Sequence, residues 1–439
     1  MASLRFRTLL AITILTFLFA APAFAQWDWY NRVTVTDDGV MMGGLGMAFI
    51  DDETYFVFNL RSELALGQFG VGIDVPLRFN TENGELRDAD WNSTYDYFRI
   101  LRYIRYGTKR RTPVYARLGT LSTARLGHGF IMNYYTNEAN YDGRKIGLEF
   151  DWRFGLWGFE SVVSNFERLE VVGGRAYVQP LKQILTVLVI RNLTFGATLV
   201  TDDDPDGTRS TDDGVTIYGL DVELPLLKKG PFFSSIYSDF AKIDNFGSGA
   251  AVGVELGLLK VGGIFSMYSK LERRFLGKKF LSSYFDPFYE VERFQQTSTT
   301  PVRKTDQLLA RTTRERGIYG ELYGDFINFI RILGTYERID GQANSGRLHA
   351  AALLSKSVAR FSARAIYDKT GVEDFADAFT LNERSIARAG LGYQIHQFIY
   401  LFMDYIWTFE RNAATGRLES QRRVEPQLSF VMPLNFWEK

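Results

Sequence analysis

Two groups of residues carry the chemistry this chain can offer. The first is the acidic stretch from Asp202 to Asp213, which reads Asp-Asp-Asp-Pro-Asp-Gly-Thr-Arg-Ser-Thr-Asp-Asp. Asp202, Asp204 and Asp206 alternate ahead of Gly207, and Asp213 closes the stretch. Counted from Asp202 they occupy positions 1, 3, 5, 6 and 12 of a calcium loop, where hard oxygen ligands surround a sharp glycine turn. Pro205 stiffens the turn, and Asp213 is shorter than the bidentate Glu usual at the last position. The alternative is a solvated acidic loop. Ca²⁺ is the one cofactor these residues suggest.

The second group is charged and spaced by two: Arg61 and Glu63, Asp74 and Arg78, Arg117, then Glu149, Asp151 and Arg153. It continues with Asp221 and Glu223, Asp239, Glu321 and Asp325, Arg331, Arg364 and Asp404. In an extended chain, residues two apart share a face. Such a face performs no covalent chemistry. It sorts ions and polar solutes by charge, and the mixed signs leave the preference open. Covalent catalysis finds little support. The chain has no cysteine and only three histidines, His128, His349 and His396, none with an evident serine partner. Lys and Arg total 51, as do Asp and Glu, which excludes a surface built for nucleic acid.

The elements that position these charges have period two. From Phe69 to Asn80, Phe69, Val71, Ile73, Val75, Leu77 and Phe79 fall on one face; Gly70, Gly72, Asp74, Pro76, Arg78 and Asn80 fall on the other. The pattern recurs over 53–66, 145–154, 216–224 and 319–326. Runs of this length exceed the strands of soluble sheets and match membrane-spanning strands of about 9–11 residues. The expected fold is all-β: a transmembrane antiparallel up-and-down β-barrel of about twenty strands, within a range of 16–22. Strands are expected near 40–50, 53–66, 69–80, 97–106, 113–121, 144–154, 158–167, 171–180, 188–201 and 214–225. Ten more are expected near 232–242, 249–259, 261–273, 317–326, 329–338, 347–355, 360–369, 384–394, 398–409 and 424–436. Tyr55, Phe79, Phe154, Trp157, Phe159, Trp407, Phe409 and Trp437 are candidates for the aromatic girdles at the membrane interfaces. Ile73 and Val75 should face lipid and reject Arg, whereas Asp74 on the other face should accept it.

Connections after even-numbered strands are mostly short; those after odd-numbered strands include all the long ones, 81–96, 122–143, 202–213, 274–316, 370–383 and 410–423. That asymmetry puts the short turns on the periplasmic side. The loop 122–143 is Gly-punctuated and apolar, and folding inward would hide Phe130, Ile131 and Met132. The loop 274–316 is aromatic in its first half and basic in its second, with a short helix expected over Asp306 to Arg314, capped by Thr305. A lumen of this width is too large for its charged residues to fill, so water is expected there.

Residues 1–25 read as a secretory signal peptide. Arg5 and Arg7 precede an apolar run from Leu9 to Ala20, and Ala23-Phe24-Ala25 sets cleavage before Gln26. Residues 26–39 form a short periplasmic segment, and 40–439 the barrel. In Gln427 to Phe436, Leu428, Phe430, Met432, Leu434 and Phe436 alternate toward an aromatic end, followed here by Trp437-Glu438-Lys439. With the leader and the strand pattern, this resembles the porin-like outer-membrane β-barrels of Gram-negative bacteria. The resemblance implies a cell outer-membrane location and contacts with membrane lipid, lipopolysaccharide and the barrel-assembly machinery. It implies passive diffusion of small hydrophilic solutes, possible homo-oligomers, and no enzymatic step. The alternatives are a transporter of a hydrophobic or specific substrate, and a non-conducting structural or adhesive barrel.

Overall fold

A computed structural model describes residues 40–140, 144–184, 188–208, 211, 213–295, 301–327, 329–354, 360–412 and 418–433. The expected signal peptide, the 26–39 segment, and Leu434, Phe436 and Trp437 lie outside the described residues. The first strands are β1 (Val40–Ile50), β2 (Glu53–Leu66), β3 (Phe69–Asn80), β4 (Leu101–Tyr106), β5 (Val114–Gly119), β6 (Gly147–Phe154), β7 (Trp157–Val163) and β8 (Val171–Val178). Then come β9 (Thr194–Asp202), β10 (Val215–Lys229), β11 (Phe232–Ile243), β12 (Ser248–Val261), β13 (Phe265–Leu276), β14 (Phe294–Gln295) and β15 (Val302–Arg303). The last are β16 (Glu315–Phe326), β17 (Ile330–Ile339), β18 (Gly346–Leu354), β19 (Phe361–Val372), β20 (Ser385–His396), β21 (Ile399–Arg411) and β22 (Leu418–Pro433).

Strands β14 and β15 pair only with each other, inside the connection between β13 and β16. The other twenty form one antiparallel sheet in which each strand pairs with its neighbours in sequence. Strand β22 returns to β1, from Val40 opposite Pro433 to Ile50 opposite Arg423. The protein is therefore a closed up-and-down barrel of twenty strands, and every strand expected from the sequence is present. Tight turns such as Gly67-Gln68 join the even-to-odd pairs among the first strands; Gly67 (φ +60°) and Gly155 (φ +57°) take the left-handed conformation these reversals need.

Several boundaries shift for local reasons. Strand β4 starts at Leu101 because Thr94–Phe98 is helical, with Asp96 accepting the Ser93 N–H (2.8 Å). Strand β9 starts at Thr194, after a helical turn at Leu188–Arg191. Strands β21 and β22 extend into the expected 410–423 loop, leaving only 412–417 between them. The helix expected from Asp306 spans Lys304–Leu309 instead, because Asp306 accepts the Arg303 N–H (2.8 Å) and makes Arg303, not Thr305, the capping position.

The two faces of the sheet follow the alternation. In β3 the odd residues from Phe69 to Leu77 point outward, while Gly70, Gly72, Asp74, Pro76 and Arg78 are buried inward. Leu45, Phe58, Leu220, Val252, Leu322, Leu401 and Phe430 repeat the outward apolar pattern around the circumference. A continuous apolar exterior on this scale has no place in water and fits the acyl chains of a bilayer. Phe79, Phe154, Trp157 and Phe159 are exposed on it, as expected of a girdle. Tyr55 and Phe409 are not. Tyr55 lies one residue out of phase with the outward Phe56 and Phe58, and Phe409 packs inward on Ala139, Phe288 and Val291. Asp74 also differs from expectation: it is buried and paired with Arg61 at 3.2 Å.

Two substitutions test the faces. Ile73→Arg and Val75→Arg should each destabilise the barrel by roughly 2–4 kcal/mol near the bilayer midplane, read from urea unfolding in lipid vesicles. Asp74→Arg should impair folding as well, by opposing Arg61 with a second cation, whereas Asp74→Asn should be better tolerated. Equal tolerance of Arg at Ile73 and on a polar surface loop would overturn the assignment.

Candidate functional site

The lumen is occupied by protein. The connection after β5 turns inward from Leu121 to Asn140, and the connection after β13 does so from Gly277 to Arg293. The two meet inside the barrel: Ser283 N–H donates to the Phe130 carbonyl (2.7 Å), Phe285 N–H to Ile131 (3.1 Å) and Asn133 N–H to Phe285 (3.0 Å). Phe130, Ile131, Met132, Tyr135, Phe280, Tyr284, Phe285 and Tyr289 form one buried cluster with Val162, Val171, Val200, Ile217, Ile243 and Leu276. Those strand residues all lie near the end of the barrel from which the long connections emerge. The insert thus covers inward-facing apolar wall at the long-loop end of β7 to β13, and the hydrophobic effect holds it there. Folding Phe130, Ile131 and Met132 inward matches the sequence reading. The expectation of a lumen filled by water is corrected: charges too few to fill this barrel are joined by two inserted loops.

Charged wall residues anchor the insert. Arg125 donates to both oxygens of Glu321 (3.0 and 3.3 Å). His128 lies between Asp239 (3.2 Å) and Glu223 (3.7 Å) and stacks on Tyr237, with ring centroids 3.9 Å apart. Tyr237 fits there because its ring crosses Gly253, where an added Cβ would come within 2.1 Å. His349 makes a similar arrangement with Asp368 (2.6 Å) and Tyr134. Lys270 donates to the His128 carbonyl, and Arg274 joins Glu272 and Glu337 at 2.7 Å each. At the other end Arg388 holds the carboxylate and carbonyl of Glu138. Burial alone would raise the Glu138 carboxyl, but the Arg388 guanidinium overrides it and holds it at about 2. The stability this pair contributes is complete above the ordinary carboxylate value of 4.5 and is lost only as pH falls toward about 2.

A cavity of about 250 Å³ remains to one side, between the insert and the wall of β2–β6 and β18–β22. Seven of the sixteen expected lumen residues border it: Arg61, Glu63, Asp74, Arg117, Glu149, Arg364 and Asp404. The others do not. Arg78 is locked to Glu425 (2.7 Å) and Asp90 (3.0 Å), Asp221 to Arg175 (2.6 Å), and Asp325 lies 3.6 Å from Arg331. Asp151 sits beside Lys109, and Arg153 donates to the Arg111 and Thr112 carbonyls near a short turn. Glu223, Asp239 and Glu321 serve the insert.

The cavity also gathers residues the sequence reading passed over. Arg99 comes from the end of the helix after β3, Ser122, Thr123 and Glu138 from the insert itself, and Arg144 from the residues that lead into β6. Arg102 arrives by a β-bulge. Gly72 pairs with Tyr103 and Ile73 with Leu101, so Arg102 is the extra residue. Simple alternation with the buried Tyr103 and Arg105 would send Arg102 to lipid. The bulge re-aims it into the cavity, where it pairs with Glu63. An Arg at a lipid-facing phase was the signal available in the sequence.

The acidic loop is drawn together only in part. Ligand oxygens of Asp204, Asp206 and Asp213 lie within 4.8 Å of one another. Gly207 has φ +71°, as a sharp turn requires. Asp202 is diverted: it accepts the Tyr289 hydroxyl (2.7 Å) and lies 3.5 Å from Arg293. Arg303 stands 3.7 Å from both Asp206 and Asp213. Burial, then the neighbouring Asp206, push the Asp213 carboxyl up.

Two predictions follow from this geometry. Glu321→Ala leaves Arg125 buried without its carboxylate, so it should destabilise the protein by about 3–5 kcal/mol and expose the insert to trypsin. Urea unfolding and limited proteolysis check both. For the loop, Ca²⁺ bound by three carboxylates should be lost in Asp204→Asn and retained in Asp202→Asn; calorimetry in physiological salt that finds both variants alike would reduce the loop to a solvated acidic turn.

A closed sheet with an apolar exterior and a charged, loop-filled interior defines a transmembrane β-barrel. No family model and no curated protein matches the sequence. Among solved structures the chain is similar to Pseudomonas aeruginosa OccK8 (OprE), at 12% identity over 90% of this chain and 98% of that one, with a TM-score of 0.31. It is similar to the outer membrane protein opdK of the same organism, at 8% identity over 90% and 98%, with a TM-score of 0.31. It is also similar to Wzi, an outer membrane protein involved in group 1 capsule assembly in Escherichia coli and a carbohydrate-binding β-barrel. That match has 11% identity over 91% and 86%, with a TM-score of 0.36.

Proposed function

We propose that this protein is an outer-membrane channel through which small hydrophilic solutes diffuse passively. The observation that carries this reading is the charged cavity kept open between the insert and the β2–β6 and β18–β22 wall, inside a barrel whose exterior suits lipid. Arginines and carboxylates face each other across it, so a solute exchanges part of its hydration shell for fixed charges as it passes. Such charged linings set selectivity in pores. The long insert narrows the path to one side of the barrel. No covalent step is part of the function.

A second reading is a transporter for one specific substrate, and the close packing of the insert favours it. In that case the insert shifts when the substrate arrives. Conductance in planar bilayers separates the two. Stepwise, ohmic openings in salt alone are expected for the channel. Silence in salt alone, with current or uptake appearing only on addition of a particular solute, would replace it with the transporter. Glu321→Ala, which unpins the insert, should enlarge the unit conductance or make it noisy.

A further inference from the structure

We infer that the exterior of β13, β16 and β17, at the long-connection end, is a binding site for a phosphate-bearing lipid of the outer leaflet. The inference goes beyond the channel reading: it concerns the lipid-facing surface and holds whether or not the barrel conducts. Its side of the membrane follows from the long connections, which are extracellular in barrels of this kind. Arg273 of β13 lies opposite Ile318 of β16, and Ile318 lies opposite Arg338 of β17. Arg316 lies opposite Phe275. Directly opposed residues share a face of the sheet, and Phe275 and Ile318 are exposed on the apolar exterior. All three guanidiniums are therefore outside the barrel. Their height makes that tolerable. Phe265 and Phe326 pack together at the short-turn end of β13 and β16, with ring centroids 4.8 Å apart. From Phe265 to Arg273 a tilted strand climbs about 20 Å, close to the top of an apolar band roughly 25 Å tall. Arginines at that level keep their stems in the apolar layer and extend their heads to the headgroups.

The cluster is short of anions. Asp340 accepts a bond from Arg273 at 3.2 Å. Both side chains stay open, 40% and 48% accessible, and a pair so exposed exchanges readily. Arg316 stands 5.9 Å from the Phe275 ring, and among the described residues neither Arg316 nor Arg338 has a carboxylate partner. Lys278, Lys279 and Arg314 are exposed on the adjoining connections and raise the positive potential. The rest of the rim is not built this way. At the same end of β1–β3 the exposed charges among the described residues are Asp51, Asp52, Glu53, Glu82, Glu85 and Asp88. The chemistry of the cationic sector fits phosphate. The planar fork of Arg matches phosphate oxygens through paired, charge-assisted hydrogen bonds. Adjacent strands lie about 4.8 Å apart, so Arg273 and Arg338 stand about 10 Å apart at Cα, within side-chain reach of one phosphate. Beside and below them Leu271, Leu322 and Ile332 are exposed and continue the apolar exterior. A free phosphate would use the cations alone. A lipid uses both surfaces, its phosphate on the arginines and its acyl chains on the apolar face, and this continuity selects it.

The test exposes the purified full-length barrel, in dodecyl maltoside, to diphosphoryl lipid A and reads bound lipid by native mass spectrometry. The unaltered protein should retain lipid A. The double variant Arg316→Gln, Arg338→Gln should hold it roughly tenfold more weakly, the usual cost of losing charge-assisted hydrogen bonds. Asp340→Asn, which removes the competing carboxylate, should hold it more tightly. Lys229→Gln, exposed at the short-turn end of β10, should change nothing. Heat-modifiable migration on gels marks each variant as folded. Equal retention by the folded double variant would overturn the site. Displacement of lipid A by an equal concentration of phosphatidylethanolamine would also overturn it, by leaving apolar contact alone. Displacement by millimolar inorganic phosphate would replace the lipid with a free anion. Unit conductance should be the same in the double variant, so loss of this site leaves the channel standing. A barrel that is silent in bilayers yet retains lipid A would overturn the channel and keep the site.

Discussion

Closure of the sheet between β1 and β22 is the constraint on which the rest of the structure depends. In hydrocarbon no water is present to satisfy backbone N–H and C=O groups, so a sheet with a free edge cannot persist there. The register from Val40 opposite Pro433 to Ile50 opposite Arg423 removes both edges at once. Everything else follows from that closed wall. It sets one surface toward lipid and one toward the interior, and it forces every second residue of twenty strands to serve one or the other.

A wall of twenty strands encloses more space than its own side chains can fill, and the protein resolves this unevenly. Over β7 to β13 the inward residues at the long-loop end are apolar, such as Val171, Val200 and Ile243, and the insert covers them with Phe130, Phe280 and Phe285. Over β2–β6 and β18–β22 the inward residues are charged, and the insert turns polar groups such as Thr123 and Glu138 toward them. The two sides need each other. Packing supplies the adhesion that brings two loops more than a hundred residues apart into contact, and the ion pairs of Arg125, His128 and Arg388 set their register. Removing one charge from such a buried pair is costly because its partner then remains desolvated. The polar side of the insert is therefore fixed as firmly as its apolar side, and it leaves an eccentric cavity in place of a central pore.

The acidic loop belongs to the same assembly. Arg293, at the end of the inserted segment, donates to the carbonyls of Asp204 and Pro205 (2.7 and 2.9 Å) and to Glu170 (2.9 Å). Asp202, the first residue of the sequence motif, gives one carboxylate oxygen to Tyr289 of the insert, while the other accepts the Asp204 N–H (3.3 Å). A motif that is regular in sequence is thus divided by tertiary contacts. Spacing fixes the order of the carboxylates but leaves open which way each one turns.

The sequence by itself determined the strands, their number, their faces and the side on which the long connections lie. Alternation is a local property, and in a membrane barrel it is imposed twice over, by lipid outside and polar groups inside. That is why residues such as Val71 and Asp74 reveal their sides without any partner. Local reading failed where one residue broke the period, as the bulge at Arg102 did, and where neighbouring apolar residues out of phase, such as Tyr55 and Phe56, looked alike. Only the tertiary structure decided what fills the barrel. The contact between Phe130 and Ser283, the pairing of Arg125 with Glu321, and the convergence of Arg117 and Arg364 on one cavity join segments far apart in sequence. No period or spacing encodes such distances; they exist only once the sheet has closed and the loops have been drawn inside it.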